Sequence, residues 1–490
     1  MNDTCATREL GRWAAEVGGD WSPKVWGIAA HAWEDTIASA IAGAGDRGAA
    51  AVRSTLSAGG TVPLIGAGFL TSPAEAALAN GYAAHAVEMD ENFLIGLGHL
   101  CAVVVPAILS VGCEADLRGR QALDALIVAS EVMARIGGAL DRAHTDRGWH
   151  GTSTIGALAA AVACGRLMGL AAPEMTHALA LSVSMSAGPK VQFGTEAKPL
   201  HAGLAAQAGV MAARLARSGL RASDKALEGA SGFGELYSGV KQADWSGVLP
   251  LDGEPLAIEW SGMAFKLWPS CGATHKAIAG VLALRQQHGF GAEDVASVTV
   301  EVSHGILLNL RYPEPKNHKE AQFSMQYAIA LALRFGRLTL ADYTPDAVQD
   351  EATRRLMPLV TMVKYPGSVE GSETATSHAP HRVMVRLKDG RHFERLVQHM
   401  KGGLGDPFTP QDRRAKFDMC CAEVLPPDRL AAVQTMLAAP MDVPVRELMR
   451  ALMFEAGGDE GQRFGARRAL TGSAEVHAPR TGPHAASASC

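Results

Sequence analysis

The chain has 490 residues, of which 48% are hydrophobic and 19% charged, with a formal net charge of −5. That balance excludes a disordered chain and exceeds what one ordinary core accommodates, so two domains are expected. The small, scattered charge excludes a nucleic-acid surface, and the longest apolar run, Leu100 to Cys113, is too short for a bilayer.

The first residues, Met1 to Arg8, hold no apolar stretch of the kind a signal peptide needs. A cytoplasmic location is therefore expected. Ser22-Pro23 pairs a capping side chain with a proline suited to the first helical position. Trp26, Ala30, Trp33, Ile37 and Ile41 follow at helical spacing, and Gly43 and Gly45 end the run. Later helical stretches over 155–169 and 202–219 are rich in Ala and Gly, which lets helix axes approach closely. The pattern changes after Trp260. Val298, Val300 and Val302 alternate with Ser297, Thr299 and Glu301, as in a half-buried strand. Val383, Val385 and Leu387 alternate likewise, and Asp389-Gly390 before His392 to Val397 marks a hairpin. Helices are predicted over 274–288 and 321–335 between these strands, and again over 410–422 and 427–454.

The fold class is thus mainly α with a smaller α+β domain. A helical domain over 1–261 is interrupted by an α+β lid over 262–404 and completed by 405–456. Residues 457–490, rich in Gly, Ala, Ser, Pro and Arg, are expected to be a disordered and dispensable tail.

Several chemistries are excluded by pattern. Gly43 to Gly48 fits G-x-G-x-x-G, but it follows a helix rather than a strand and so lacks the dinucleotide turn. No P-loop, G-x-S-x-G elbow or H-E-x-x-H helix is present. None of the eight cysteines forms a C-x-x-C pair. No metal and no cofactor are expected.

Polar residues concentrate in four segments that break apolar helical patterns: HAVEMDENFLIGLGH from His85, RGWHGTST from Arg147, FGTEAKPLHAG from Phe193 and KLWPSCGATH from Lys266. Loops beside rigid helices are where sites tend to form. With LEGASGF at Leu227, AQFSMQYAIA at Ala321 and GDPFTPQDRRAKF at Gly405, these segments resemble the MmgE/PrpD family over roughly residues 8 to 455. That family includes 2-methylcitrate dehydratase, cis-aconitate decarboxylase and an iminodisuccinate epimerase.

The resemblance implies a helical domain with an α+β lid, a cleft between them, a homodimer, and no metal or organic cofactor. By motif it places Glu88, Asn92, His99, His150, Lys198, Lys266, His275 and Tyr327 in the cleft. The chain departs from the family pattern at Glu88, where Asp is usual, at Asn92, where Thr is common, and at Leu100, where Pro is usual. It is closer to the decarboxylase and epimerase branch than to the true methylcitrate dehydratases.

The implied chemistry is proton transfer at a carbon beside a carboxylate, on a small di- or tricarboxylate. His99 and His150 suit acid/base work because imidazole titrates near neutral pH. His99 precedes an apolar helix, whose dipole would keep the imidazole partly neutral. Lys198 and Lys266 suit substrate carboxylates held from opposite sides of the cleft. Tyr327 would donate a hydrogen bond from the lid, and Glu88 would orient a histidine. A dehydratase or decarboxylase is expected first, an epimerase of an amino- or imino-dicarboxylate second, and a non-catalytic binding protein third.

Overall fold

Ser22 and Pro23 start the helix Pro23–Gly43 as the sequence anticipates: the Ser22 hydroxyl accepts the Val25 N–H at 3.2 Å. We describe residues 5–240, 243–248, 254–365 and 379–455 of a computed structural model. They are mainly helical, with a small mixed sheet. The tail expectation, 457–490, lies outside the described residues.

Glycines set the helix spacing. A Cβ on Gly43 would lie 2.0 Å from Ala83 O, and one on Gly203 would lie 2.3 Å from Leu78 O. Backbone therefore meets backbone where Pro23–Gly43 and Ala197–Arg217 cross the helix Pro73–Ala86. The helix Cys101–Glu114 is buried on every side from Cys101 to Cys113, so it forms the centre of this layer. One large apolar cluster joins residues from Ala6 to Phe265 with the C-terminal run from Phe408 to Phe454. Gly43 and Gly48 lie in two successive helices, Pro23–Gly43 and Arg47–Ser54, joined through the Asp46 cap, so no strand-to-helix turn exists there.

A second apolar cluster runs from Trp268 to Leu387. Its sheet has the order Val360–Lys364, Val295–Val302, His381–Leu387, His392–Val397. The first pair is parallel and the others are antiparallel. Val298, Val300 and Val302 are buried as their alternation requires. Gly390, at φ 92°, makes the hairpin turn. The helix Gly272–His288 packs on this sheet, and Met325–Phe335 packs on both that helix and the Val360–Lys364 strand.

Three expectations change in detail. The helix expected over 321–335 splits, because Ser324 accepts the Tyr327 N–H and starts Met325–Phe335 afresh. The helix expected over 427–454 breaks at Pro440 and Pro444, each lacking the N–H that continuation needs. Val360–Lys364 is a strand without a clear apolar alternation, being a five-residue edge strand with only Val360 buried.

Candidate active site

The helix Pro73–Ala86 ends immediately before the acidic run Glu88 to Glu91. Glu88 has φ 53°, a left-handed conformation that a long side chain rarely adopts. Glu88, Asp90 and Glu91 are all buried. Buried carboxylates persist only when paired or protonated, and both solutions are present. Lys198 bonds one oxygen of Glu88, and Lys266 bonds the other at 2.9 Å. Lys266 also reaches Asp90 at 3.3 Å. Burial by itself would raise the Glu88 carboxyl; the two ammonium groups outweigh it and hold it below the usual range. Burial likewise works against Asp90, but His85 and Lys266 hold it well below its ordinary value. Glu91 makes no ion pair among the described residues; burial and the neighbouring Asp90 outweigh the pull of Lys266 and push it up to about 8. It stays protonated, and its oxygen accepts the Cys101 N–H at 2.9 Å, capping the central helix.

Asp90 orients the histidines. Its Oδ2 is 2.7 Å from His85 Nδ1 and 3.1 Å from His99 Nδ1. His99 Nδ1 also lies 2.6 Å from Glu91 O. A carbonyl only accepts, so Nδ1 carries the proton and Nε2 presents its lone pair. Glu88 instead spends its oxygens on lysines, so the expectation that Glu88 orients a histidine is corrected: Asp90 does. His150 caps the helix Gly151–Leu167 by position but makes no side-chain cap. Its Nδ1 is 3.0 Å from His201 Nδ1, and its Nε2 is buried with no hydrogen-bond partner among the described residues. Burial lowers all three imidazoles: His85 to about 3, His150 well below its ordinary value, and His99 with Lys266 adding to the effect. The depression of His99 thus comes first from burial.

Glycines bring the two histidine loops together. A Cβ on Gly98 would sit 2.4 Å from Thr152 N, and one on Gly151 would sit 2.2 Å from Leu97 O. His99 N–H then donates to Thr152 Oγ1 at 3.0 Å. One nitrogen from each of His85, His99 and His150 lies within 4.8 Å of the others, a set of neutral imidazoles able to hold a divalent ion. The sequence expectation of no metal rests on linear spacing, which cannot register ligands from three separate segments. Lys198 beside all three opposes a cation.

A cavity of about 710 Å³ opens over this floor. Glu88, Asn92, His99, His150 and Lys198 line it, facing Cys271, Ile306 and Leu307 from the side of the second cluster. Asn92 lies against Gly272, where a Cβ would be 2.3 Å from its amide nitrogen.

Three sequence candidates do not line the cavity. Lys266 is fully buried and is the counter-ion of Glu88 and Asp90, so it is not a substrate anchor facing Lys198. His275 is buried against Trp268, 5.2 Å between ring centroids, with Nε2 3.3 Å from Ser270 O. Tyr327 lies in the second cluster and donates to Asp342 O at 2.5 Å, which commits its hydroxyl. Conversely, His85, Asp90 and His201 belong to the site although the sequence reading did not select them. All three stand inside the quoted segments, and their buried pairing is what singles them out.

Residues 8–246 match the MmgE/PrpD N-terminal domain, and residues 268–439 match the MmgE/PrpD C-terminal domain. The chain is 27% identical to a mouse cis-aconitate decarboxylase over 382 residues, 75% of this chain and 76% of that one. It is 25% identical over 477 residues to a cis-aconitate decarboxylase-like protein of Aspergillus oryzae, covering 90% and 96% of the two chains. Similarity to a 2-methylcitrate dehydratase of Escherichia coli is 28% but spans 119 residues, 23% of this chain and 24% of that one.

Proposed function

The chain belongs to the MmgE/PrpD family, and on that premise we propose that it is a lyase acting on a small di- or tricarboxylate, with decarboxylation of a cis-aconitate-type substrate as its reaction. The observation that carries this reading is the cavity floor. A carboxylate clamped between two buried lysines stands beside imidazoles whose tautomer a second carboxylate fixes. The long matches to cis-aconitate decarboxylases support decarboxylation over dehydration.

In such a reaction the C–C bond to the departing carboxyl breaks and carbon dioxide leaves. The electron pair becomes a new C=C bond, and the former double bond takes a proton on the carbon beside a remaining carboxylate. His99 is the proton carrier. Its Nε2 is the free nitrogen, and the substrate's own carboxylates raise its proton affinity on arrival. Lys198 faces the cavity and stabilises the developing enolate-like charge. Lys266 and Asp90 hold Glu88 and the imidazoles in place.

The test is incubation with cis-aconitate, 2-methylcitrate, citrate and iminodisuccinate, followed by proton NMR. Loss of carbon dioxide from cis-aconitate is expected. Proton exchange from deuterated water with no net lyase turnover would redirect the reading to an epimerase. Activity is expected to survive exhaustive EDTA treatment. Loss that zinc reverses would reassign His85, His99 and His150 as ligands.

A further inference from the structure

With Lys266 sequestered behind Glu88, the cavity floor offers one ammonium, Lys198, to a substrate that carries two or three carboxylates. The same cavity is lined by four further cations, Arg142, Lys190, Arg311 and Lys276, the last of which donates to Ala379 O at 2.9 Å. Arg142 follows directly on Asp141, whose φ of 47° and ψ of −156° interrupt the long helix Gly119–Asp146. A side chain presented from a broken helix is a site of stored backbone strain. Arg142 Nη2 reaches Asp146 at 3.5 Å, while Nη1 is buried without a hydrogen-bond partner among the described residues. Lys190 sits in the short turn Lys190–Gln192, its N–H tied to Gly148 O at 2.7 Å. Arg311, from the far side of the cavity, donates to Lys190 O at 3.2 Å.

Phe193 relates these cations to the floor. Lys190 Nζ and Lys198 Nζ lie 6.0 Å and 5.8 Å from the centroid of that one ring, and His150 packs edge-on to it at 4.9 Å. Phe193 thus neighbours both lysines and the His150 ring within the cavity lining. The lining carboxylates are Glu88, already clamped, and Asp146. Four cations besides Lys198 thus share the lining with one available carboxylate. Burial lowers Lys190, Asp146 opposes this, and Arg311 and Arg142 press the same way as burial. Arg311 is exposed, but Arg142 and Lys190 are partly buried, and such cations in excess are costly unless an anion completes them.

We propose that Arg142, Lys190 and Arg311 form a second carboxylate subsite, which takes the end of a di- or tricarboxylate remote from Glu88 and His99. Planar guanidinium groups suit this role because they bind carboxylates through paired N–H donors. The subsite selects against monocarboxylates, and it rests on the reading of the cavity as a carboxylate site.

The experiment is calorimetric titration of the full chain with tricarballylate, a saturated tricarboxylate with no double bond to shift and no hydroxyl to lose, and with butyrate. Arg142→Met and Arg311→Met are each expected to weaken tricarballylate binding by about tenfold or more, the loss of a charged hydrogen bond. Butyrate should distinguish the variants from the parent by less than about threefold. Lys190→Met serves as a third variant if either arginine replacement lowers the melting temperature sharply. Unchanged tricarballylate affinity in the folded variants, or no tricarballylate binding by the parent chain, would overturn the subsite. Absence of turnover on every polycarboxylate would instead sink the lyase reading and leave this titration interpretable.

Discussion

His99 owes its proposed chemistry to what its other nitrogen touches. With Nδ1 donating to Glu91 O and lying beside Asp90, only Nε2 remains for a substrate. His99→Asn keeps a donor for Glu91 O and removes titration, so kcat is expected to fall roughly a hundredfold or more. The melting temperature should stay close to the parent's, since Glu91 rather than His99 caps the following helix. Retention of most activity in a folded Asn variant would move proton transfer to His150. The two lysines separate by the same logic. Lys198→Met should raise KM and lower kcat together, because its ammonium lines the cavity. Lys266→Met leaves Glu88 and Asp90 short of a buried partner, so its main effect should be a stability loss of about 3–5 kcal/mol. Equal stability of the two variants by urea unfolding would contradict that division. Both lysines stand out in the sequence because polar residues interrupt apolar helical patterns. The pattern marks a constrained residue without saying whether a substrate or a neighbouring charge constrains it, which is why Lys266, His275 and Tyr327 read like Lys198.

At the level of elements, the segment that bears Glu88 is fastened from two sides. Lys319, paired with Asp46, donates to Ala86 O at 2.8 Å. Lys416, 2.6 Å from Asp35, donates to Met89 O at 2.6 Å. One lysine comes from the helix His318–Ala321 and the other from Pro410–Cys421, far apart in sequence. Between the two held carbonyls lies the left-handed Glu88, so these contacts supply the over-determination that such a backbone requires. Lys416→Met should lower kcat with little change in KM, and it should also destabilise the fold by leaving Asp35 unpaired. Adding Asp35→Asn should restore much of the stability and none of the kcat. Recovery of both together would reduce Lys416 to a structural ion pair. Local sequence signals show the helices themselves, since caps and periodicity act within a few residues. They do not show these clamps, because Lys319 and Lys416 look like ordinary surface lysines until tertiary packing buries them.

Across the whole molecule, burial of imidazole is the recurring electrostatic feature. His31 is lowered to about 2, and His85, His144, His275 and His381 to about 3, in each case chiefly by burial. His150 lies well below its ordinary value for the same reason. All six are buried, and while His85, His150 and His275 stand in segments that the sequence marks, His31, His144 and His381 do not. The unfolded chain protonates all six near pH 6.5, whereas the folded chain keeps them neutral well below that pH. Between those values the unfolded state binds more protons, so stability falls as pH falls. Glu91 works in the opposite direction: raised to about 8, it remains protonated in the fold and favours the folded state less as pH rises from about 4.3 toward 8. Burial raises Glu34 and Asp35 in the same direction as Glu91, so three carboxyls stand against six imidazoles. Carboxylates held low by partners, such as Glu88 and Asp90, add acid sensitivity only below about pH 4.5, where the unfolded chain begins to protonate them. The window from about pH 6.5 to 5 therefore belongs to the histidines. Urea unfolding at intervals from pH 7.5 to 5 should show the midpoint steady at first and then dropping steeply below about pH 6.5. His275→Phe, which leaves the cavity lining intact, should flatten that drop by one proton's worth whatever it does to stability at pH 7.5. A midpoint that stays level down to pH 5 would mean that the folded chain takes up these protons as readily as the unfolded one, and that the imidazoles are not buried neutral groups.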